Sequence, residues 1–374
     1  MSDPTIQTFC CHHRSAPDGA LQLMSEFNTN SYLFVCMVSS FLGIMGAHYQ
    51  IFIRGRQNGS QIIESGNSVN SNGHRVILWL AIADFSASLG VFVRSAMWRY
   101  FQPMMLRDDD ASVIFCAVTS AWTQYFYTCT WLWTFSYALN IRAHLRFEEF
   151  SMRRYHLYVW SIGALLTSVG LTVLYYPNAD CQNVRELWTA LIRVLPNYCV
   201  TYLPILVVMI GNPIIYMDAS KIISEAFSTR YTRMTSKQRV ILNRFKWKFL
   251  LINIVFYICW LPNLIGGLIL WTVWGSVPAD IMIFIWYAMA ATNPLQAFLN
   301  AFVYRRWSDD EEDDDDKESP EEEIESEPVT ETVEETSPLL DNSSRPWIKK
   351  NRGECSTKMV DPSIHNKGVR CTCC

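Results

Sequence analysis

The chain has little that catalysis needs. No cysteine pair suggests a zinc site, and no nucleophile–base set or His/Asp/Glu cluster stands out. No catalytic residue, metal, cofactor or nucleic-acid partner is therefore assigned, and the chain reads as a non-enzyme. It also lacks a chain of acids or histidines running through its apolar blocks, which a proton-coupled transporter would carry, and it lacks an inverted repeat with paired broken helices. The first 30 residues have no basic segment followed by an apolar run, so no cleavable signal peptide is expected.

What is abundant is apolar surface in blocks. Half of the 374 residues are hydrophobic and 14% are aromatic. They gather at about 31–53, 76–97, 113–141, 155–177, 198–217, 249–273 and 281–304. A bilayer core of roughly 30 Å takes about 20 helical residues, so each block has the length of a membrane span. The predicted architecture is an all-α bundle of seven transmembrane helices. A segment 1–30 precedes the domain 31–304, and an acidic tail, 305–374, follows it.

Net charge is −4, which conceals an asymmetry. Residues 309–335 hold 17 acids and one base, Lys317, leaving 18 acids against 30 bases elsewhere. The loops after spans 1, 3 and 5 carry 15 Lys or Arg, and the N-terminal segment with the other three loops carries five. Lysine and arginine near span ends are held on the cytoplasmic side. The N-terminus is thus expected outside or in a lumen and the tail in the cytoplasm. By that topology the sequons at Asn58 and Asn342 are cytoplasmic and unglycosylated.

The same topology sorts the 12 cysteines. Cys116, at the outer end of span 3, and Cys181, in the loop after span 4, face the oxidising side, where a bridge or two free thiols would both be compatible. Cys10 and Cys11 lie on that side as well. Cys129, Cys199 and Cys259 read as small packing residues in spans. Cys371, Cys373 and Cys374 close the tail as candidate lipidation sites.

Polar groups inside apolar blocks are the functional suspects. Asp84 lies mid-block in span 2 and should face the interior, whereas Arg94, near that span's outer end, is expected to snorkel to the headgroups. Gln124 and Tyr127 share a face of span 3, and Asn263 and Tyr287 are expected to approach them from spans 6 and 7. Together they form a candidate ligand cradle. In span 6 the chain reads Cys259-Trp260-Leu261-Pro262, and in span 7 Asn293-Pro294. A proline removes one helical hydrogen bond and bends the helix, and a bend beside a tryptophan makes an element with two packing arrangements.

With Cys116, Trp160 and Pro204, these pieces resemble the rhodopsin-like receptor framework. Five segments narrow the resemblance: Thr8-Phe9-Cys10-Cys11, Leu174-Tyr175-Tyr176-Pro177, Val200-Thr201-Tyr202-Leu203-Pro204, Gly211-Asn212-Pro213-Ile214 and Asn293-Pro294-Leu295-Gln296-Ala297-Phe298. Over roughly residues 8–304 the chain resembles the ocular albinism type 1 receptor family. That resemblance implies a G-protein-coupled receptor of melanosomes and lysosome-like organelles, with some at the plasma membrane. It implies a tyrosine-derived ligand such as L-DOPA, coupling to a heterotrimeric G protein, and an influence on organelle biogenesis. It also implies the Cys116–Cys181 bridge and switch roles for Asp84, Trp260, Pro262, Asn293 and Pro294.

The framework is not kept throughout. Asn140 and Ile141 stand where most such receptors have an acid and then arginine, and Arg142 comes one place late. These three residues are the candidate G-protein-facing set, and the usual ionic lock is expected to be absent. Ala297 replaces the tyrosine three residues after Pro294, and Tyr287 occupies the retinal-lysine position, which excludes a Schiff base. Thr123 stands where amine receptors place their aspartate. In the tail, Glu335 precedes Leu339 and Leu340 with the spacing read by clathrin adaptors, and the neighbouring serines and threonines are candidate phosphosites for arrestin-like partners. A non-signalling trafficking scaffold and a seven-helix channel or transporter are the competing readings.

Overall fold

The computed structural model describes residues 28–64, 71–101, 110–146, 148, 151–175, 187–230, 236–272 and 279–315. All lie in the first of two units, Met1–Ser319, the second being Pro320–Cys374. Among them are seven helices and no strand: α1 (Thr29–Glu64), α2 (Ser71–Tyr100), α3 (Asp110–Leu145), α4 (Met152–Tyr175), α5 (Leu187–Arg230), α6 (Ser236–Thr272) and α7 (Ala279–Asp315). Helices α1, α5 and α7 run well past the apolar blocks at 31–53, 198–217 and 281–304. Hydropathy marks where lipid can cover a helix, while the backbone hydrogen-bond ladder continues wherever the chain can propagate it.

Among the described residues, five helices contain a stretch long and apolar enough to cross a membrane: Thr29–Phe52, Gly73–Tyr100, Tyr198–Ala226, Leu242–Ile269 and Asp280–Val303. Helices α3 and α4 are not among them. In α3 the reason is composition. It carries Thr123, Gln124, Thr128, Thr130, Thr134 and Ser136, all buried. Such groups lower a hydropathy average yet are cheap where neighbouring helices replace lipid.

The bundle exposes large apolar side chains and buries polar ones within its apolar core. Phe34, Phe41, Leu203, Ile210, Leu268 and Phe284 are all more than half exposed, while Asp84, Asn212, Asn263, Asn293, Gln296 and Asn300 are buried. A soluble domain would invert this arrangement. Helix α3 packs against α2, α4 and α5; α7 packs against α1, α2 and α6. Helices that approach closely do so over glycine. A side chain at Gly43 of α1 would strike the Pro294 carbonyl, and one at Gly46 would strike the Phe298 backbone, so α1 and α7 meet backbone to backbone.

The prolines leave identifiable orphans. Pro294 cannot donate to the carbonyl of Ala290, four residues earlier; the buried Ser39 hydroxyl of α1 donates to it instead, at 2.6 Å. Pro213 likewise leaves the Met209 carbonyl, and the Tyr257 hydroxyl of α6 donates to that at 2.7 Å. In lipid an unsatisfied carbonyl costs far more than in water, so these bonds let the two helices continue past their prolines.

Two expectations are corrected here. Arg94 does not snorkel outward: it is 3% exposed, covered by the packing around α2. Cys129 and Cys259 are buried packing residues, as is Cys36, but Cys199 is exposed on the outside of α5.

Candidate functional site

Trp260 organises the centre of the bundle. It is fully buried on α6, two residues before Pro262. Its indole Nε1–H donates to Gln296 Oε1 of α7 at 2.5 Å. Two α3 rings meet it edge-on: Tyr127 at 5.1 Å and 80°, and Trp131 at 4.9 Å and 86°. Such edge contacts suit the ring quadrupoles and hold the indole in one orientation. Phe256, one turn earlier on α6, packs at 6.4 Å. A second tie joins α6 and α7 next door, where Thr292 Oγ1 donates to the Cys259 carbonyl at 3.4 Å as well as to Ala288 in its own helix at 2.9 Å.

One turn toward the N-terminal end of α3 lies Gln124, 3% exposed. Its Nε2 donates to Thr201 Oγ1 of α5 at 2.9 Å. Helices α3 and α6 run in opposite directions, so Asn263, one turn after Trp260, lies on the same side of the Tyr127–Trp260 contact as Gln124. Asn263 is fully buried. Three of the four cradle candidates therefore gather around one level of the bundle. Tyr287 does not join them: its hydroxyl donates to the Asn28 carbonyl at 3.2 Å, and its ring meets Tyr32 edge-on at 5.9 Å, at the start of α1. Its helix register turns it toward α1 rather than toward α3.

On the opposite side of Trp260 sits Asp84, buried on α2. Its Oδ2 accepts from Asn300 Nδ2 of α7 at 3.0 Å, and Thr130 and Cys259 stand beside it. The middle of α1 carries no asparagine that could meet this acid, and α7 supplies one. Asn293 and Pro294 are buried on the same helix. Pro294 also accepts, through its own carbonyl, from Ser88 of α2 at 3.4 Å.

At the far end of α3 the three coupling candidates part company. Asn140 is half-buried near Gly73 of α2, and Ile141 packs against the core. Arg142 turns to α5, where its Nε meets Asp218 Oδ2 at 2.8 Å; Arg146 Nη2 meets the same oxygen at 2.9 Å. Displacing the arginine by one residue, about 100° around a helix, thus changes its partner.

Sequence reasoning passed over Gln296, Trp131, Thr201, Asn300 and Asp218. Gln296 stood inside a segment noted only for its resemblance. So did Thr201, while Trp131 and Asn300 carried no signal beyond a bulky or polar residue in an apolar block, and Asp218 follows the block at 198–217. His156 was also missed: Trp79 and Trp133 face it edge-on at 4.6 and 5.2 Å, and Trp160 Nε1–H donates to its Nδ1 at 3.2 Å. Among the described residues no group of His, Cys, Asp and Glu is placed to hold a metal ion. The side chain of Cys116 lies outside the described residues. So do Cys10, Cys11, Cys181, Glu335, Leu339, Leu340, Cys371, Cys373 and Cys374.

A family model described as ocular albinism type 1 protein matches residues 1–367. The human protein named G-protein coupled receptor 143 is 26% identical over 366 residues, covering 91% of this chain and 86% of that protein.

Proposed function

The chain belongs to the ocular albinism type 1 protein family, and from that membership we propose that it is a G-protein-coupled receptor with seven membrane spans. Helices α3 and α4 are counted among the spans, α3 with its polar face turned inward. The N-terminus lies outside or in a lumen, and the tail is cytoplasmic. The receptor senses a small tyrosine-derived ligand such as L-DOPA from a melanosome or lysosome-related membrane. It signals to a heterotrimeric G protein and so influences organelle biogenesis. The tail signal at Glu335, Leu339 and Leu340 engages a clathrin adaptor, arrestin-like proteins read the phosphorylated tail, and the terminal cysteines carry lipid. A Cys116–Cys181 bridge ties the outer loop to α3.

One observation carries the receptor reading. Trp260 is fixed by two aromatic edges from α3 and one hydrogen bond from α7, beside a proline bend. A ligand bound at the level of Gln124, Tyr127 and Asn263 would touch the same α3 face that holds the indole. Differential contact with two positions of Trp260 is what a ligand needs to shift an equilibrium. An amino-acid-like ligand suits this level, because Gln124 and Asn263 offer amide donors and acceptors amid aromatic walls.

The test is nucleotide exchange on G proteins in membranes carrying the Leu339→Ala/Leu340→Ala form, with and without L-DOPA. Ligand-dependent exchange is expected, and Gln124→Ala with Asn263→Ala should weaken it. No exchange from a folded, surface-exposed protein would sink the receptor reading. It would favour the scaffold, which the diversion of Arg142 to Asp218 already makes concrete.

A further inference from the structure

A groove of about 710 Å³ runs along the outer side of α3, α4 and α5. Its walls are apolar: Leu132 and Leu139 from α3, Val159 and Ile162 from α4, Leu203 and Val207 from α5. Leu203 and Val207 are 59% and 48% exposed, so the groove opens to the bundle's surroundings rather than to its interior. The α3 wall extends from Leu132 to Arg146. At 1.5 Å per residue that is roughly 21 Å, more than the ~15 Å depth of one leaflet's hydrocarbon.

One end of this apolar slot is charged. Arg142 and Arg146 line it there, and both bind a single oxygen of Asp218. Each guanidinium has five N–H donors, and the carboxylate engages one atom of each. Their side chains are 38% and 42% exposed. Glu148 also lines the mouth. An apolar channel one leaflet deep, ending in paired guanidiniums, matches a molecule with a long hydrocarbon chain and an anionic oxygen-rich head.

We infer that this groove is a binding site for one anionic glycerophospholipid, its acyl chain between α3, α4 and α5 and its phosphate on Arg142 and Arg146. The assignment rests on the reading above that the helices span a membrane with this end toward the cytoplasm, the leaflet where anionic lipids gather. Arginine is the residue suited to this head, because its planar fork matches a phosphate with two parallel hydrogen bonds. Asp218 competes with the lipid for the same donors. Lipid occupancy and the α3–α5 ion pair are therefore linked, which places a lipid at the one point where the α3 arginine has been diverted.

The experiment is native mass spectrometry of the full chain in mild detergent micelles. Phosphatidylserine and phosphatidylcholine with the same acyl chains are titrated in parallel. One phosphatidylserine should be retained about fivefold more tightly, the effect of roughly one basic side chain on an anionic head. Arg146→Gln should bring it to the phosphatidylcholine level, while Arg146→Lys keeps most of the preference. Asp218→Asn should strengthen phosphatidylserine binding, a change opposite in sign that misfolding cannot imitate. Val207→Trp, which fills the slot from its exposed side, should weaken both lipids. Equal retention of the two lipids, or a preference that survives Arg146→Gln, would overturn the site. Micelles have no sides, so these results do not depend on orientation. A chain that stayed monodisperse without any detergent would instead overturn the membrane reading itself.

Discussion

Helices α5 and α7 are broken by proline in the same way and repaired in different surroundings. Pro294 leaves the Ala290 carbonyl without its donor, and a buried serine of α1 replaces it. Pro213 leaves the Met209 carbonyl, and Tyr257, 36% exposed, replaces it from α6. The α7 repair depends on α1 coming close, which Gly43 and Gly46 permit. The α5 repair uses a long aromatic arm and needs no close approach. A short hydroxyl thus fixes two backbones at contact distance, whereas a long one leaves room between them. The first joint is suited to holding a frame, and the second to helices that shift against one another.

The comparison breaks most severely at Gly43. Gly43→Leu should push α1 off the Pro294 carbonyl, costing about 3 kcal/mol or preventing a folded bundle. Loss of a monodisperse, cooperatively melting species in detergent is the readout; an unchanged melt would mean that α1 and α7 do not pack backbone to backbone.

Ser39→Ala comes next. It should cost about 1–2 kcal/mol, because it strands a buried carbonyl. Pro294→Ala restores the missing backbone donor, so Ser39→Ala in that background should cost almost nothing. A thermal double-mutant cycle measures this, and equal costs in both backgrounds would refute the repair.

Tyr257→Phe should cost less, about 0.6 kcal/mol, typical of a hydrogen bond between membrane helices and screened here by exposure. Its effect should likewise vanish with Pro213→Ala. If Tyr257→Phe were the more damaging of the two hydroxyl deletions, the frame and the moving joint would have to exchange places.

Gln296 is expected to matter more for signalling than for the fold. Gln296→Leu removes the acceptor for the buried Trp260 indole and strands its N–H, which should cost about 1–2 kcal/mol, comparable to Ser39→Ala. Nucleotide exchange should nevertheless rise without ligand, since the indole loses its tie to α7. Basal exchange equal to that of the unaltered protein would show that the tie does not restrain Trp260.

Much of the architecture was legible because lipid imposes a simple rule. Every spanning helix needs a long apolar block, and such blocks stand out in a sequence without reference to any neighbour. Where the rule weakened, so did legibility: α3 is filled with hydroxyls and aromatics because protein, not lipid, surrounds it. The site was partly legible for the same reason. A buried Asp84 or Gln124 in an apolar block announces itself, but its partner does not. Asn300, Thr201 and Gln296 became partners through helix rotation and register, which composition does not encode. Arg94 was misread because its depth along α2 was legible and its covering was not. Tyr287 meets Asn28 and Tyr32 at the start of α1, a pairing that its place in span 7 does not reveal.

The sequence by itself determined the helices, the blocks that lipid can cover, the positions of the prolines and the polar residues that must turn inward. These follow from single-chain chemistry: apolar length, missing N–H groups and the cost of a charge in hydrocarbon. Only the tertiary structure decided which carbonyl each hydroxyl would repair, that Asn300 would hold Asp84, and that Arg142 would meet Asp218. Those pairings depend on helix rotation and on how closely backbones approach. Both are set by several helices packing at once, a constraint that no single segment carries.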